Sequence, residues 1–417
     1  LATQNFTTAT DTYNTAVGFN AGVLVTTGTE NTLIGGLSGD ALTTGIRNVA
    51  VGSAALSGDT KGQNNIAVGY GTLAAQNFTT VVSSYNVAVG AASGLSITTG
   101  VFNSLVGGLA GDALTDADYN TALGYQALTQ DTLGSLSVAI GAFALGAQNL
   151  TTATNTFNVA IGYNAGGSVT TGINNTVIGG LAADSMTTGF NNTFVGAGVA
   201  GAGVITGGRN VGVGTATLGL LTSGSNNCAM GEDAGPAVTS GSNNLLLGHD
   251  AGRTGSPGGN ITSENNNVVL GDENIVAIYA AVSSISTSDE RDKTDFTALD
   301  LGLDFVKALA PVTYKWDKRS KYGDKYADDY DLNAQTPDGT HKEDWLDVGF
   351  KAQAVVALEE AAGYKISNKT NLVSNLTDDE TQYGLKYDRF VPILVKAIQD
   401  QDAIITSLTA RVAALES

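Results

Sequence analysis

A serine and a lysine lie five positions apart in the stretch SDERDK, residues 288–293, with Arg291 between them. A serine hydroxyl is a weak nucleophile until a base removes its proton, and a lysine can be that base when burial or nearby positive charge favours its neutral form. The two histidines, His249 and His341, lie near no suitable serine–carboxylate pair, so a serine–histidine triad has little support. By themselves, these residues also suit a charged surface turn in which Ser288 caps a helix, and that simpler interpretation is favoured without further observations.

This stretch marks an abrupt change in charge density. Positions 1–287 hold 4 of the 20 basic residues and 15 of the 39 acidic residues. Positions 288–417 hold the other 16 basic and 24 acidic residues in less than half that length. We therefore place the main domain boundary at residue 288. The net charge of −19 divides into −11 and −8, and such a uniformly acidic chain repels nucleic-acid phosphates and anionic lipid.

Because of this repulsion we expect no nucleic-acid partner. We also expect no membrane insertion, since no apolar run reaches the ~18 residues of a transmembrane helix. The single cysteine, Cys228, excludes an intrachain disulfide framework, and we expect it in the core. The chain begins at Leu1 without a methionine, and we expect further sequence to precede it.

The uncharged part repeats the pattern Asn-x-apolar-apolar-Gly. Most successive final glycines are equally spaced, and a longer repeat, which we call the long repeat, divides the region into 3–74, 75–146 and 147–218. The asparagine is present in 14 of 15 units, with Ser137 as the exception. The final glycines are Gly18, Gly35, Gly52, Gly69, Gly90, Gly107, Gly124, Gly141, Gly162, Gly179, Gly196, Gly214, Gly231, Gly248 and Gly271.

Each column of this repeat has a physical interpretation. Stacked asparagine amides can hydrogen-bond along a β ladder, and the final glycine suits a turn with positive φ. A second glycine, as in the TTG of 26–28, supplies another turn, which leaves two short strands per unit. We predict a mainly β protein: a parallel β-solenoid of about 15 coils of ~17 residues over 1–271, then a connecting β segment at 272–287.

The two residues before each final glycine, such as Ala16 and Val17, are both apolar although they point to opposite faces of a strand. A strand that is apolar on both faces is buried on both faces. One face can fill the interior of the coil, and we expect a second copy of the chain to cover the other. The stretch SVAIGAFAL at 137–145 resembles the head repeats of trimeric autotransporter adhesins, which are parallel β-rolls packed in threes; we take this as similarity of architecture.

Four stretches of the charged part occur in order: SDERDKTDF at 288–296, LAPVTYKWD at 309–317, VGFKAQAV at 348–355 and LKYDRFVPILVKAIQDQ at 385–401. Together they resemble the peptidase S74 family, the C-terminal intramolecular chaperones of phage tail fibres, neck appendages and endosialidase tailspikes. The resemblance extends over 288–417 and implies an α+β domain that forms a homotrimer.

The resemblance implies that the chain cuts itself. The family pattern places the nucleophile at Ser288, the base at Lys293 and the scissile bond at Thr287–Ser288, with Asp289 and Arg291 in support. This Ser–Lys endopeptidase activity would act in cis, without turnover of an external substrate. No metal and no cofactor are expected.

The C-terminal end of the domain is predicted to be a coiled coil at about 388–417. β-Branched residues on one seam and leucine on the other favour dimers, but the family is trimeric, so we expect three chains. The two seams are Val391, Ile398, Ile405 and Val412, and Leu394, Gln401, Leu408 and Leu415.

The resemblance implies a phage tail fibre or tailspike segment for host-surface attachment, located on the extracellular virion. The expected partners are further copies of the chain, a host cell-surface glycan or protein receptor, and other virion tail proteins, with the chaperone domain released in the host cytoplasm during assembly. Two alternatives stay open. One is a glycan depolymerase of the endosialidase type with its catalytic domain upstream, and the other is a bacterial trimeric surface adhesin.

Three further groups in the repeat could bind a ligand. Acidic clusters could hold a cation or act on glycosidic bonds, although we favour exposed turns for both. An aromatic column before the asparagines suits either glycan stacking or turn packing. The clusters are Asp112, Asp116 and Asp118, and Glu232, Asp233, His249 and Asp250; the aromatic residues are Tyr13, Tyr85, Tyr119 and Phe157.

Overall fold

The computed structural model describes residues 1–275, 277–278, 288–327 and 329–416. The chain divides into two compact units, Leu1–Arg253 with Ile261–Gly271, and Thr254–Asn260 with Asp272–Ser417. Most of the predicted connecting β segment at 272–287, including Thr287, lies outside the described residues. No helix in the described part of the chain has the length and apolar character needed to span a bilayer.

The first unit is a parallel β-solenoid, which confirms the predicted fold class. One sheet holds 15 strands, separated by about 14 turns of the chain, and each strand pairs in parallel with the next strand of the repeat. The strands are Thr15–Val17, Thr32–Ile34, Val49–Val51, Ile66–Val68, Val87–Val89, Ser104–Val106, Thr121–Leu123, Val138–Ile140, Val159–Ile161, Thr176–Ile178, Thr193–Val195, Val211–Val213, Cys228–Met230, Leu245–Leu247 and Val268–Leu270.

The prediction of two strands per coil is wrong for most coils. Within residues 1–271, a second strand pair forms only where Gly62–Gln63 pairs with Val82–Ser83 and where Gly134–Ser135 pairs with Thr154–Asn155. Elsewhere the far side of the coil is a series of turns, because residues such as Asn20 (φ 54°) and Gly22 (φ 59°) adopt left-handed conformations. Its backbone groups still bond to the next coil, as in the 2.9 Å bond from the Gly22 N–H to the Ser38 carbonyl.

The asparagines form the predicted amide ladder inside the coil. The Asn31 Oδ1 accepts from the Asn48 backbone N–H at 3.0 Å and from the Asn48 Nδ2 at 3.2 Å. The Asn48 Nδ2 also donates to the Gly62 carbonyl at 2.9 Å, so each side chain ties its strand to the turns of the following coil. These side chains are fully buried, which makes every bond of the ladder matter for stability.

The final glycine of each unit satisfies two separate requirements. Gly52 has φ +138°, and a Cβ at this position would lie 2.3 Å from the Gly69 carbonyl oxygen. The second glycine of the coil, such as Gly45, does not have a left-handed φ but lies equally close to its neighbour, since a Cβ there would lie 2.5 Å from the Gly62 oxygen. Stacking of the coils therefore requires glycine at Gly52 and leaves little room for a side chain at Gly45, although Ala117 and Glu264 occupy the position of Gly45 in their own coils.

The two faces of each strand have different environments in the single chain. Inward residues such as Leu33 and Ala50 are fully buried, whereas outward residues such as Ile34 (39% exposed) and Leu123 (46%) are uncovered. Cys228 belongs to the outward face and is half-buried, so our expectation of a core cysteine is wrong. We call the outward residues that precede the final glycines, from Val17 to Leu270, the apolar column.

The second unit has helices α1 (Leu303–Ala308), α2 (Ala352–Ala361) and α3 (Phe390–Glu416). Two antiparallel pairs accompany them, Val312–Tyr314 with Asp347–Gly349, and Ser374–Leu376 with Tyr383–Leu385. Short 3-10 turns lie at Glu290–Asp292, Arg319–Lys321, Leu332–Ala334, Ile366–Asn368 and Tyr387–Arg389. The buried core consists of Leu301, Phe305, Val355, Val373, Phe390 and Ile393.

Candidate functional site

The structure brings Ser288 and Lys293 into direct contact. The Lys293 Nζ donates to the Ser288 Oγ at 2.6 Å and to the Ser288 carbonyl at 3.2 Å. The intervening residues form a 3-10 turn, closed by the 3.1 Å bond from the Lys293 N–H to the Glu290 carbonyl. The cap of this turn is Asp289, whose Oδ1 accepts from the Arg291 N–H at 2.9 Å, and not Ser288. The serine hydroxyl is therefore not used as a cap and faces the lysine.

Arg291 pairs with Asp289 rather than with the dyad. Its Nε lies 3.0 Å from the Asp289 Oδ1, and its guanidinium reaches Oδ2 at 2.5 Å. The hydrogen bond from Arg291 lowers the pKa of Asp289, and the same bond raises the pKa of Arg291. Asp289 therefore offsets the positive charge of Arg291 beside Lys293.

Residues 288–293 are all exposed in the single chain. The predicted scissile bond, Thr287–Ser288, includes a residue outside the described ranges. The structure thus places the predicted nucleophile, Ser288, and the predicted base, Lys293, at hydrogen-bonding distance while leaving both in contact with solvent. A hydroxyl and an amine in this arrangement can exchange a proton directly, which is the first requirement of a Ser–Lys dyad.

This geometry lies at the first residues of a family match. Residues 288–364 match the peptidase S74 family, the chaperone of endosialidase. The S74 match begins at Ser288 and contains three of the four stretches that suggested it, but the stretch at 385–401 lies beyond its end. The chain therefore carries a chaperone domain of this kind after a β-solenoid. No curated protein matches the chain significantly.

The first acidic cluster does not converge on a common point. The Asp116 Oδ1 accepts from the Thr99 hydroxyl at 2.6 Å, and the Asp118 Oδ1 accepts from the Val101 N–H at 2.8 Å, each on the preceding coil. Asp112 instead binds the Thr129 hydroxyl on the following coil. Burial raises the pKa of Asp118, opposed by the Val101 hydrogen bond and helped by the charge of Asp116. These carboxylates stabilise turns between coils.

The second acidic cluster is organised by a residue that the sequence did not point to. The Arg253 guanidinium lies 2.8 Å from Asp250 and 3.2 Å from Asp233, which it joins across two coils. Asp250 is almost fully buried, so our interpretation of this stretch as an exposed turn is wrong at this residue. Arg253 is one of only four basic residues in positions 1–287, and that rarity was the available signal.

The aromatic column is partly explained by its own packing. Phe102 stacks between Tyr85 and Tyr119, with centroid distances of 5.8 and 4.9 Å and nearly parallel rings. Phe102 was missing from the predicted column, although it too precedes an asparagine of the ladder. Tyr13 and Phe157 are 75% and 54% exposed, and the stacked Tyr85 and Tyr119 are 53% and 55% exposed. Stacking therefore occupies the ring faces between Tyr85, Phe102 and Tyr119 and leaves the rest of these rings exposed.

The coils with a second strand pair contain a buried polar pair that sequence reasoning missed. Asp59 is fully buried and accepts from the Gln76 Nε2 at 2.8 Å and from the Gly62 N–H at 3.0 Å. The same arrangement recurs one long repeat later, where the Gln148 Nε2 donates to Asp131 at 2.6 Å. The recurrence of both residues in the long repeat was the signal. These carboxylates fix the inner wall of their coils.

Proposed function

We propose that residues 288–416 act as an intramolecular chaperone that trimerises and folds the solenoid of a phage tail fibre or tailspike, and then cuts itself off before Ser288. The observation that carries this proposal is the 2.6 Å contact between Lys293 and Ser288 at the first residue of the S74 match. The solenoid that remains would attach to a host-surface glycan or protein on the extracellular virion.

In the proposed reaction, the neutral Lys293 amine takes the proton of the Ser288 hydroxyl as Oγ attacks the carbonyl carbon of Thr287. The C–N bond between Thr287 and Ser288 breaks, and the ammonium of Lys293 returns the proton to the departing Ser288 nitrogen. The resulting ester is hydrolysed by water, which restores the Ser288 hydroxyl and leaves a carboxylate on Thr287. Burial favours the neutral form of a lysine, so closure of the site by neighbouring chains would start the reaction.

Two uncovered surfaces support a trimer. The apolar column of the solenoid is exposed at several positions, such as Val106 (37%) and Met230 (49%), and half-buried at the others. In α3, the predicted seam residues Ile398, Ile405 and Leu408 are 65%, 53% and 50% exposed. Assembly of non-local β structure is slow, and a trimeric domain would speed it by raising the local concentration of the three solenoids. Light scattering of the full chain should give three times the monomer mass.

Cleavage is tested with four variants of the full chain. Ser288→Ala, Lys293→Ala and Lys293→Arg should each give a folded and uncut chain, the last because arginine does not deprotonate at working pH. Thr294→Ala removes a neighbouring exposed hydroxyl and should cut like the parent. Intact mass and the N-terminal residue of each fragment report the outcome. A new N-terminus other than Ser288, or normal cutting in Ser288→Ala, refutes the dyad.

A further inference from the structure

The second compact unit is assembled from two parts of the chain that a cut before Ser288 would separate. Thr254–Asn260 belongs to this unit, although in sequence it interrupts the last coil of the solenoid and accounts for the long step from Gly248 to Gly271. Asp272 and Glu273 belong to it as well. Both segments precede Ser288, as do the other described residues up to 278, whereas the remainder of the described unit begins at Ser288.

The loop 254–260 is held at both ends by one turn of the chaperone. The Asp379 Oδ2 accepts from the Asn260 N–H at 2.9 Å, and the Gln382 Nε2 donates to the Ser256 carbonyl at 3.2 Å. Ser256 is 1% exposed. The approach is close, because a Cβ on Gly259 would lie 3.0 Å from the Asp379 carboxylate.

The segment 272–273 is held by two lysines. The Lys318 Nζ donates to the Glu273 carbonyl at 2.5 Å, and the Lys325 Nζ lies 3.2 Å from the Glu273 carboxylate and 3.8 Å from that of Asp272. The side chains of Lys325, Asp272 and Glu273 are only 15%, 9% and 6% exposed. Ion pairs this sheltered are screened by salt much less than surface pairs.

We propose that these contacts form a clasp, made of Lys318, Lys325, Asp379 and Gln382, by which the cleaved chaperone stays bound to residues 254–260 and 272–273 of the fragment it has left. The partner of the clasp is a glycine-rich loop followed by an acidic pair, both supplied by the solenoid fragment. Cleavage then removes the covalent link without separating the two fragments, and release is a second, independent step. The inference rests on the proposed function for the existence of the cut, and on the described contacts for everything after it.

The clasp is tested on the full chain, tagged at its N-terminus and cut in two ways. One sample cuts itself; the other is Ser288→Ala with a site for an added protease inserted before residue 288. The cut protein is held on an affinity column at low salt, and release of the 288–417 fragment is followed over time on denaturing gels. Both samples should retain the fragment. Lys325→Met and Asp379→Asn should each speed its release about tenfold, since loss of one partner of a buried charged contact acts mainly on dissociation.

Matched controls remove the same charges from neighbouring exposed positions. Lys315→Met and Asp378→Asn should release the fragment at the parent rate, and circular dichroism of the uncut chains identifies any variant that fails to fold. Because the clasp has two independent halves, Lys325→Met decides the result if Asp379→Asn does not fold. Immediate separation of the parent fragments, or equal rates for Lys325→Met and Lys315→Met, would overturn the clasp. Absence of self-cleavage counts against the proposed function alone, because the protease-cut sample still reports on the clasp.

Discussion

Replacing one asparagine of the amide ladder should destabilise the solenoid far more than a typical substitution. The Asn210 Nδ2 donates to the Asn192 Oδ1 at 3.1 Å and to the Gly224 carbonyl at 3.0 Å. Its Oδ1 accepts from the Asn227 N–H at 3.0 Å and from the Asn227 Nδ2 at 3.1 Å. Asn210→Ala removes these bonds from a fully buried site, and at about 1 kcal/mol for each, the free energy of unfolding should fall by roughly 4 kcal/mol.

The chain offers its own control for this experiment. Ser137 replaces the ladder asparagine in one coil, where its hydroxyl is 2.9 Å from the Gln148 Nε2 and 2.6 Å from the Thr156 hydroxyl. Asn65 occupies the equivalent position of the preceding long repeat and has Gln76 and Ser84 as the corresponding neighbours. Asn65→Ser should therefore cost less than Asn210→Ser, whose coil has the apolar Leu221 at the position of Gln76.

Urea unfolding followed by circular dichroism measures both effects, with Ser288→Ala as the background so that every sample is one uncut chain. We expect Asn210→Ser to lose about 2 kcal/mol more than Asn65→Ser, because two buried bonds have no replacement. If Asn210→Ala changes the unfolding free energy by less than about 0.5 kcal/mol, the ladder does not hold the coils together. Equal losses for the two serine variants would show that the buried glutamine does not compensate.

Three further changes test other parts of the structure. Gly52→Ala places a Cβ 2.3 Å from a backbone oxygen at φ +138° and should cost at least about 3 kcal/mol of unfolding free energy, whereas Gly36→Ala, with nothing within 4 Å, should be neutral in the same urea assay. Glu359 accepts three backbone N–H bonds, from residues 372–374 at 2.7–2.9 Å, so Glu359→Gln should cost about 2 kcal/mol while exposed Glu360→Gln changes little. Burial raises the pKa of Asp379, but bonds from Thr377, the Asn260 N–H and Thr381 outweigh it and leave the pKa below its usual 3.8. The stabilising contribution of the Asp379 carboxylate is therefore complete above that pH and is lost as the pH falls through the lower folded value, so the cleaved fragment should dissociate faster below about pH 4 in the parent. The increase should be smaller in Asp379→Asn, where the acidic groups of the contact that remain are those of Asp272 and Glu273.

Much of the solenoid was predictable because each recurring position of the repeat is restricted to one residue type or class by a physical requirement. The ladder asparagines must satisfy one another's amides, and Gly52 must combine a left-handed φ with close backbone contact. The far side of the coil was not predictable as turns, because the left-handed residues there, such as Asn20, Leu37 and Ala54, share no residue type. Because stacking of the coils imposes the left-handed conformation, residues of many types occupy these positions, and the sequence does not reveal them.

The candidate site was predictable in its chemistry and not in its surroundings. The dyad of Ser288 and Lys293 was predicted from the resemblance to the S74 family, because their spacing alone favoured a capped surface turn; in the structure a single 3-10 turn brings the two residues together. The pairing of Arg291 with Asp289 was not anticipated, because two charges within one turn can pair in several ways. The assignment of loop 254–260 to the second unit was also missed, because in the sequence it was only a repeat step of unusual length.

The one-to-one pairing of strands has a consequence for how such a chain can change in length. The steps from Gly35 to Gly52, Gly69 to Gly90, Gly196 to Gly214 and Gly248 to Gly271 differ in length, yet all leave the parallel sheet in register. The additional residues lie outside the strands of the 15-stranded sheet. The three long repeats are also similar in sequence, so unequal recombination between the corresponding gene segments would add or delete whole repeats. Each event would lengthen or shorten the solenoid by four coils, or about 19 Å, while leaving both ends unchanged. The length of the solenoid can therefore change in steps of one long repeat without any change in the residues of its core.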